Sequence, residues 1–541
     1  MEIESYSDAV ASFDWRVVHD ALGWKPSEKI SLGYSIVDRH AESGRVALIV
    51  VDKDGGERCY SYKELSEASN RFAGILRELG VNPGDRVAGF MPRGAEVLIS
   101  IIGALKAGAI YVPIFTGFGP DAIRFRLDHC AASILVTHLS VKERLPSDLD
   151  MPTICVSRKG EQQPENWIDF HEAIEKQPAR FSCELRERSD IATLIYTSGS
   201  TGPPKGGAIA VNFLGATWPY MTYGVDLRPD DIFWPTGDPG WGYGFVCYLG
   251  ALAAGGTVVS VESNPSAEMC LSVLQRCGIT NLATTPTLLR SLLVLDEDVM
   301  RRAGVKLRAI SSCGEPLNAK VVESFRRLWS VTPMDHFGAT EFAIPVGNFN
   351  ALSMPVQPGS MGRVFPGFHV AIIDDDGKEL DAGVTGLIGK KSNENTLYWV
   401  NYWNDPIASH ELVSRGWIAT GDLGHQDKDG YFWFEGRAGD MIKSAGYRIG
   451  PFEIESVLLK HPAVAEAAVV GAPDELRGEI VKAFVVLRPD VAESEELSEQ
   501  LAHHVRDAVG RHQYPRIIEF VDALPKTETG KIQRFALRAR A

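Results

Sequence analysis

The sequence predicts an α/β protein of at least two domains. Three observations carry this: the length, an alternation of helix-like and strand-like runs, and a change of pattern after Gly436. At 541 residues the chain exceeds the size at which a single hydrophobic core keeps growing, so it divides into domains with ample buried surface.

From Tyr62 to Leu79 apolar residues recur at helical spacing (Leu65, Ala68, Phe72, Ile75, Leu76, Leu79), and Gly80 stands where a helix ends. NPGDRVAGFM then reads as turn and strand. The apolar run VLISIIGALKAGAIYVPIF, Val97 to Phe115, is long enough to suggest a membrane span, but Lys106 sits at its middle beside glycines and Pro113 near its end. A buried helix running into a strand fits better. Strand-like runs follow at Ser133 to Val136 and Ile191 to Tyr196, and such alternation points to parallel α/β layers. After Gly436 come a short helix (Phe452 to Leu459), two strands (Ala465 to Gly471, Val481 to Leu487) and an amphipathic helix with Leu497, Leu501 and Val505 on one face. About a hundred residues make a small domain. The glycine-rich GRAGDMIKSAGYRIG before it reads as a linker or a loop packed against a ligand.

Composition narrows the function classes. Hydrophobic residues at 45% and charged residues at 23% are those of an ordinary globular protein. The net charge of -15 argues against broad attraction to nucleic acid or anionic lipid, while leaving room for a local basic groove that holds a nucleotide. The eight cysteines, Cys59, Cys130, Cys155, Cys183, Cys247, Cys270, Cys277 and Cys313, show no metal-ligand or redox spacing. They read as core residues of a reducing compartment. MEIESYSDAV lacks the basic start and apolar run of a signal peptide, so the expected location is the cytoplasm.

The chemistry concentrates in TSGSTGPPKGG, Thr197 to Gly207, which follows the strand IATLIY. Ligands of open α/β sheets bind at such strand ends. Glycines let successive N–H groups turn toward one anion, the hydroxyls of Thr197, Ser198, Ser200 and Thr201 add donors, and Lys205 brings a positive charge. The P-loop pattern is absent, because Pro204 and Gly206 flank the lysine where Gly and Ser or Thr are required.

TSGSTGPPKG resembles the phosphate loop of the adenylate-forming superfamily, which includes acyl-CoA synthetases, adenylation domains of peptide synthetases and firefly luciferase. Four further segments match in order: CGEPL (Cys313 to Leu317), HFGATE (His336 to Glu341), GWIATGDLGHQDKDGYFWFEGR (Gly416 to Arg437) and PKTETGKIQR (Pro525 to Arg534). The resemblance implies a large amino-terminal domain of layered β/α subdomains plus a small β-barrel, residues 1–438, and a small mobile α+β domain, residues 439–541, pivoting at Gly439. It implies ATP, Mg2+ and coenzyme A as cofactors, with a small carboxylic acid as the further substrate.

Residue by residue, the resemblance assigns an ATP site. Thr197, Ser198, Gly199, Ser200, Thr201, Gly202 and Lys205 hold the phosphates; Gly314, Glu315 and Pro316 form the wall against adenine; Asp335, His336, Phe337 and Thr340 continue the site toward the α-phosphate. Glu341 is the magnesium-binding carboxylate, Asp422 accepts the ribose hydroxyls, Arg437 lies near the same sugar, and Arg448 contacts phosphate. Lys531 is the lysine that enters for adenylate formation, where a preplaced ammonium stabilises charge growing on the phosphate oxygens. With Lys205, Thr340 and Glu341 it makes up the expected catalytic set. In the second half-reaction Ser444, Ala445 and Gly446 line the path of the pantetheine arm.

TGDPGWGYGF, Thr236 to Phe245, and GYRIGPFEIES resemble the acetyl- and medium-chain acyl-CoA synthetase branch. There the acetyl enzymes close the acyl pocket with a tryptophan. Gly338 stands at the matching position, which implies an acid larger than acetate, straight-chain, branched or aromatic, with Trp241, Gly338 and Ala339 beside it. The chain is also shorter than acetyl enzymes usually are. The alternative is a stand-alone adenylation enzyme that loads a carrier protein or another acceptor, with Asp238 placed to bind an amino group.

Overall fold

The structure is a computed structural model and describes residues 4–541 except 26–27, 159, 198–203, 264–265, 445–446, 475–476, 510–513 and 527–531. Four sheets organise the described residues. Between them lie helices whose ends are set by the sequence. Ser61 caps the helix Tyr62–Glu78 and forms a reciprocal capping box with Glu64, and Gly80 follows in the left-handed conformation.

The first large sheet has eight strands in the spatial order Trp399–Tyr402, Lys205–Ala210, Ile191–Thr197, Ile110–Pro113, Arg86–Phe90, Ile134–His138, Thr153–Val156 and Ile168–Asp169. It is parallel from Ile191–Thr197 onward and antiparallel across the first three strands. The second has nine strands: Arg363–Val364, Ala343–Gly347, Pro333–Ala339, Ala309–Cys313, Asn281–Thr284, Ile232–Pro235, Thr257–Val261, Val46–Val51 and Glu57–Ser61. Its six central strands are parallel, with antiparallel additions at both edges. The small unit expected from the resemblance is a five-stranded sheet of His369–Ile373, Gly386–Lys391, Trp417–Gln426, Val413–Ser414 and Phe432–Arg437, with the last strand paired to the third. The carboxyl-terminal unit is α+β: Tyr447–Ile449, Ile442–Ser444, Gly478–Leu487, Val464–Asp474 and Ile517–Phe520 form its sheet, and the helices Pro451–Leu458 and Glu495–Ala508 pack on it through Ile454, Leu458, Leu501 and Val505.

The segment GRAGDMIKSAGYRIG is neither plain linker nor plain loop. Ile442–Ser444 and Tyr447–Ile449 pair as a short hairpin and join the carboxyl-terminal sheet. Glycine spacing alone hid these strands, which are only three residues long.

Val97 to Phe115 resolves into the helix Ala95–Lys106 and the strand Ile110–Pro113, and no described helix is long and apolar enough to cross a membrane. Gly103 lets this helix approach Tyr62–Glu78, since a Cβ there would meet the Phe72 ring and the Ser69 carbonyl. Lys106, 0% exposed, ends in a satisfied pocket: its Nζ donates to Asp38 Oδ1 at 2.6 Å, Asn70 Oδ1 at 2.7 Å and the Ser66 carbonyl at 3.1 Å. All eight cysteines are free, and six of them are buried.

Removing one member of a buried ion pair leaves an uncompensated charge in low dielectric. Lys106→Met therefore lowers the unfolding free energy by about 3 kcal/mol in urea titrations, whereas Arg302→Ala, which breaks a pair whose side chains are both more than two-thirds exposed, leaves the midpoint unchanged.

Candidate active site

The glycine-rich loop closes a β-hairpin. Thr197 pairs with Lys205 and Tyr196 with Gly206, so the chain turns back antiparallel instead of entering a helix as a P-loop does. Thr197 Oγ1 donates to the Lys205 carbonyl at 3.4 Å. Ser198, Gly199, Ser200, Thr201 and Gly202 lie outside the described residues.

The HFGATE segment ends at the tip of a second hairpin, Pro333–Ala339 with Ala343–Gly347. The two hairpins meet through glycines. A Cβ at Gly207 would touch Thr340 Cγ2, and one at Gly242 would lie 3.9 Å from Thr340 Oγ1, so Thr340 sits between the hairpin strand and the start of the helix Gly242–Ala253. Glu341, 7% exposed, accepts a hydrogen bond from Tyr402 Oη at 2.7 Å. Lys205 Nζ lies 5.3 Å from the centroid of the same tyrosine ring, within cation–π range. Burial and the Glu341 carboxylate raise the Tyr402 phenol far above its ordinary range, which keeps it a proton donor. Arg437 acts on Tyr402 electrostatically. Across neighbouring strands Arg437 Nε lies 3.2 Å from Asp422 Oδ1, and Thr420 Oγ1 donates to Asp422 Oδ2 at 2.5 Å.

A second group surrounds the CGEPL turn. Gly314 takes φ +98° with open space where a side chain would point, a conformation that favours glycine. The Leu317 N–H donates to Asp335 Oδ2 at 3.2 Å. Glu315 turns toward Thr287 (2.7 Å) and Arg290 (2.8 Å). His336 Nε2 lies 2.9 Å from the Asn348 carbonyl, and its ring meets Tyr220 edge-on at 5.1 Å. Phe337 faces Phe434 of the small sheet at 6.5 Å.

Two expectations for the acyl side change. Gly338 does not leave open space: a Cβ there would land on the Ala343 carbonyl oxygen and crowd Ile344, because a register shift between Phe337 and Ala339 folds the hairpin back onto it. This glycine is required by the backbone in the first place. Asp238 does not present a free carboxylate. It is buried, accepts from the Gly240 N–H at 2.7 Å and lies 3.7 Å from Arg93 Nε; burial pushes its carboxyl pKa up more than Arg93 draws it down. Beside it Trp241 packs against Phe115 (5.6 Å) and Phe118 (6.2 Å), with its indole N–H buried and unpartnered among the described residues. Ala339 closes the strand and its carbonyl accepts from the Phe342 N–H at 3.0 Å.

The match to known sequences completes the description. Residues 37–396 match the family described as AMP-binding enzyme, and residues 453–531 match the AMP-binding enzyme C-terminal domain. The chain belongs to the AMP-binding enzyme family. Acetyl-coenzyme A synthetase of Bacillus subtilis (strain 168) is 36% identical over 547 residues, covering 99% of this chain and 95% of its own. An acyl-CoA synthetase of Brucella canis has a TM-score of 0.80 at 39% identity, covering 99% of both chains. The anthranilate CoA ligase AuaEII, solved with anthranoyl-AMP, has a TM-score of 0.85 at 31% identity, covering 95% of this chain and 98% of its own. Near-complete coverage of the Bacillus protein removes chain length as a reason to set acetate aside.

In this AMP-binding enzyme sequence reasoning missed Tyr402. Its only signal was the YWND turn after an apolar strand, and the partner that matters is 61 residues away. Gly439 lies in the turn after Phe432–Arg437, with nothing near its Cβ position. Asp440, the next residue, pairs with Arg538 and, at 3.8 Å, with Arg534 of the carboxyl-terminal helix. Ser444 is buried in the short hairpin. Ala445, Gly446 and Lys531 lie outside the described residues, as does the side chain of Arg448.

Neighbouring Asp335 and His336 are shifted in opposite senses by burial, the carboxyl up to about 8 and the imidazole down to about 4. Between the ordinary aspartate value and about 8 the folded protein holds the Asp335 proton that the unfolded chain has released, so this group's stabilisation is lost as pH rises through that window. His336 works the other way between about 4 and 6.5, where only the unfolded chain is protonated. Asp335→Asn removes the first contribution alone: its melting temperature, relative to the unsubstituted protein, rises steadily from pH 5 to pH 8. A difference independent of pH would show that Asp335 ionises normally.

Proposed function

We propose that this AMP-binding enzyme is an ATP-dependent acyl-CoA ligase. It converts a carboxylic acid and ATP to acyl-AMP and pyrophosphate, then transfers the acyl group to coenzyme A with release of AMP. The observation that carries the reading is the Tyr402–Glu341 hydrogen bond beside Lys205 at the mouth of the glycine-rich hairpin.

On this reading the substrate enters as MgATP. Magnesium is commonly held by one or two carboxylates together with substrate phosphates. Glu341 fits that mode: it is buried, and Tyr402 fixes one of its oxygens. No cluster of three or more His, Cys, Asp or Glu that holds a metal by itself occurs among the described residues, so the donor set suits an ion that arrives on its phosphates. Bound there, the ion would neutralise phosphate charge.

Thr197, the loop amides and Lys205 hold the phosphates, and Thr340 faces the α-phosphate. The ionised acid attacks the α-phosphorus, one P–O bond forms, and the bond to pyrophosphate breaks. No general base is required, because the carboxylate is already ionised at neutral pH. Lys531 supplies the ammonium that meets the growing oxygen charge. Asp422 and Arg437 hold the ribose, and Gly314, Glu315 and Pro316 with Asp335, His336 and Phe337 frame the base.

For the second step residues 439–541 turn against residues 1–438 about Gly439. Asp440 is fastened to the carboxyl-terminal helix by Arg534 and Arg538, which supports a pivot immediately before it. The turn brings Ser444, Ala445, Gly446 and Arg448 to the site. The thiol then attacks the acyl carbon, its proton leaves to solvent, and AMP departs. The acid is larger than acetate, short- or medium-chain, branched or aromatic. With Gly338 closed by the hairpin, the support for this comes from the aromatic wall of Trp241, Phe115 and Phe118.

Two measurements test the reading. Lys531→Ala lowers adenylate formation by about 10²–10³-fold and spares thioester formation from supplied acyl-AMP, while Gly446→Leu does the reverse; equal loss of both steps in both variants contradicts the rotation. Against a panel from acetate through octanoate, branched acids and benzoate, mass spectrometry finds a thioester of an acid longer than acetate. Acetyl-CoA as the sole product, or AMP without thioester, contradicts the substrate or the acceptor.

A further inference from the structure

The small sheet contributes a buried lysine that the reading above does not use; burial pushes its amine down to about 7. Lys390 lies in the strand Gly386–Lys391 and is 0% exposed. Its neighbour Lys391 faces the other way, 4.4 Å from the centroid of Trp417, as alternation along a strand requires. Among the described residues no carboxylate lies within ion-pair distance of Lys390. Its Nζ instead donates to two backbone carbonyls, Phe342 at 3.1 Å and Thr396 at 3.3 Å.

Those two carbonyls belong to the two segments that build the site. Phe342 follows Glu341 directly and precedes Ala343, a non-glycine residue at φ +61°. A β-carbon residue persists in that region only where its surroundings over-determine it. Thr396 closes a turn in which its hydroxyl accepts from the Asn393 N–H at 2.9 Å, and the chain runs from it into Trp399–Tyr402. One side-chain nitrogen thus ties the backbone carrying Glu341 to the backbone carrying Tyr402, and those two side chains are hydrogen-bonded to each other.

We infer that Lys390 is a positioning residue that clamps the Phe342 and Thr396 carbonyls together and thereby presents the Glu341 carboxylate to MgATP. An isolated buried ammonium is costly, and two carbonyls at one point otherwise repel. The cost is offset by the fixed geometry of the turn.

The inference rests on the proposed role of Glu341, so the experiment separates the two. Dissociation constants for ATP are measured by calorimetry with magnesium and with EDTA, in the full chain, for Lys390→Met, Lys390→Gln, Glu341→Ala and the double variant Lys390→Met/Glu341→Ala, each with its unfolding midpoint recorded. Lys390→Met weakens MgATP about tenfold and leaves metal-free ATP within twofold; Lys390→Gln, which retains a neutral donor, falls between. In the Glu341→Ala background Lys390→Met adds less than twofold, because it acts through the missing carboxylate. Equal weakening of ATP with and without magnesium, or unchanged MgATP affinity in both Lys390 variants while Glu341→Ala loses it, overturns the inference alone. Unchanged MgATP affinity in Glu341→Ala overturns the role of Glu341 and the inference with it.

Discussion

The hydrogen bond from Tyr402 to Glu341 is the constraint on which the site depends, because it joins the edge of one large sheet to a hairpin tip of the other. A hydrogen bond to a charged group contributes about 1.5–3 kcal/mol. Here it also fixes direction. Tyr402 is held in register with Gly207 on the adjacent strand, and Gly207 admits Thr340, so Tyr402, Glu341 and the strand Lys205–Ala210 meet in one corner. A Cβ at residue 207 would lie 3.1 Å from Thr340 Cγ2 and 3.3 Å from the Ile195 carbonyl oxygen, tight contacts that have to give before any side chain fits.

Electrostatics in this corner run against the net charge of the chain. Lys205 and Arg437 bring positive charge beside Tyr402. Asp335 and His336 are driven toward their neutral forms by burial, which spares the strand Pro333–Ala339 two desolvated charges.

Much of this was legible in the sequence, and the failures share one cause. The helix from Tyr62, the buried run from Val97 and the strands at Ser133 and Ile191 were readable because periodicity and caps are local. Tyr402 was not, since its partner comes from another sheet. Nor was the inward lysine: KK at residues 390 and 391 reads as two surface charges until pairing of Gly386–Lys391 with two neighbours sends one of them into the core. Gly338 misled for the same reason, as the atoms that fill its side-chain position come from the returning strand. The three-residue strands around residue 445 were too short to show any period.

The central claim is that the acid attacks the α-phosphorus of ATP, and isotope transfer tests it most directly. With a carboxylic acid labelled with 18O in both oxygens, one turnover to the thioester moves one labelled oxygen to the phosphoryl group of AMP and leaves pyrophosphate unlabelled. Label appearing in inorganic phosphate together with ADP, or unlabelled AMP formed alongside thioester, would contradict the account.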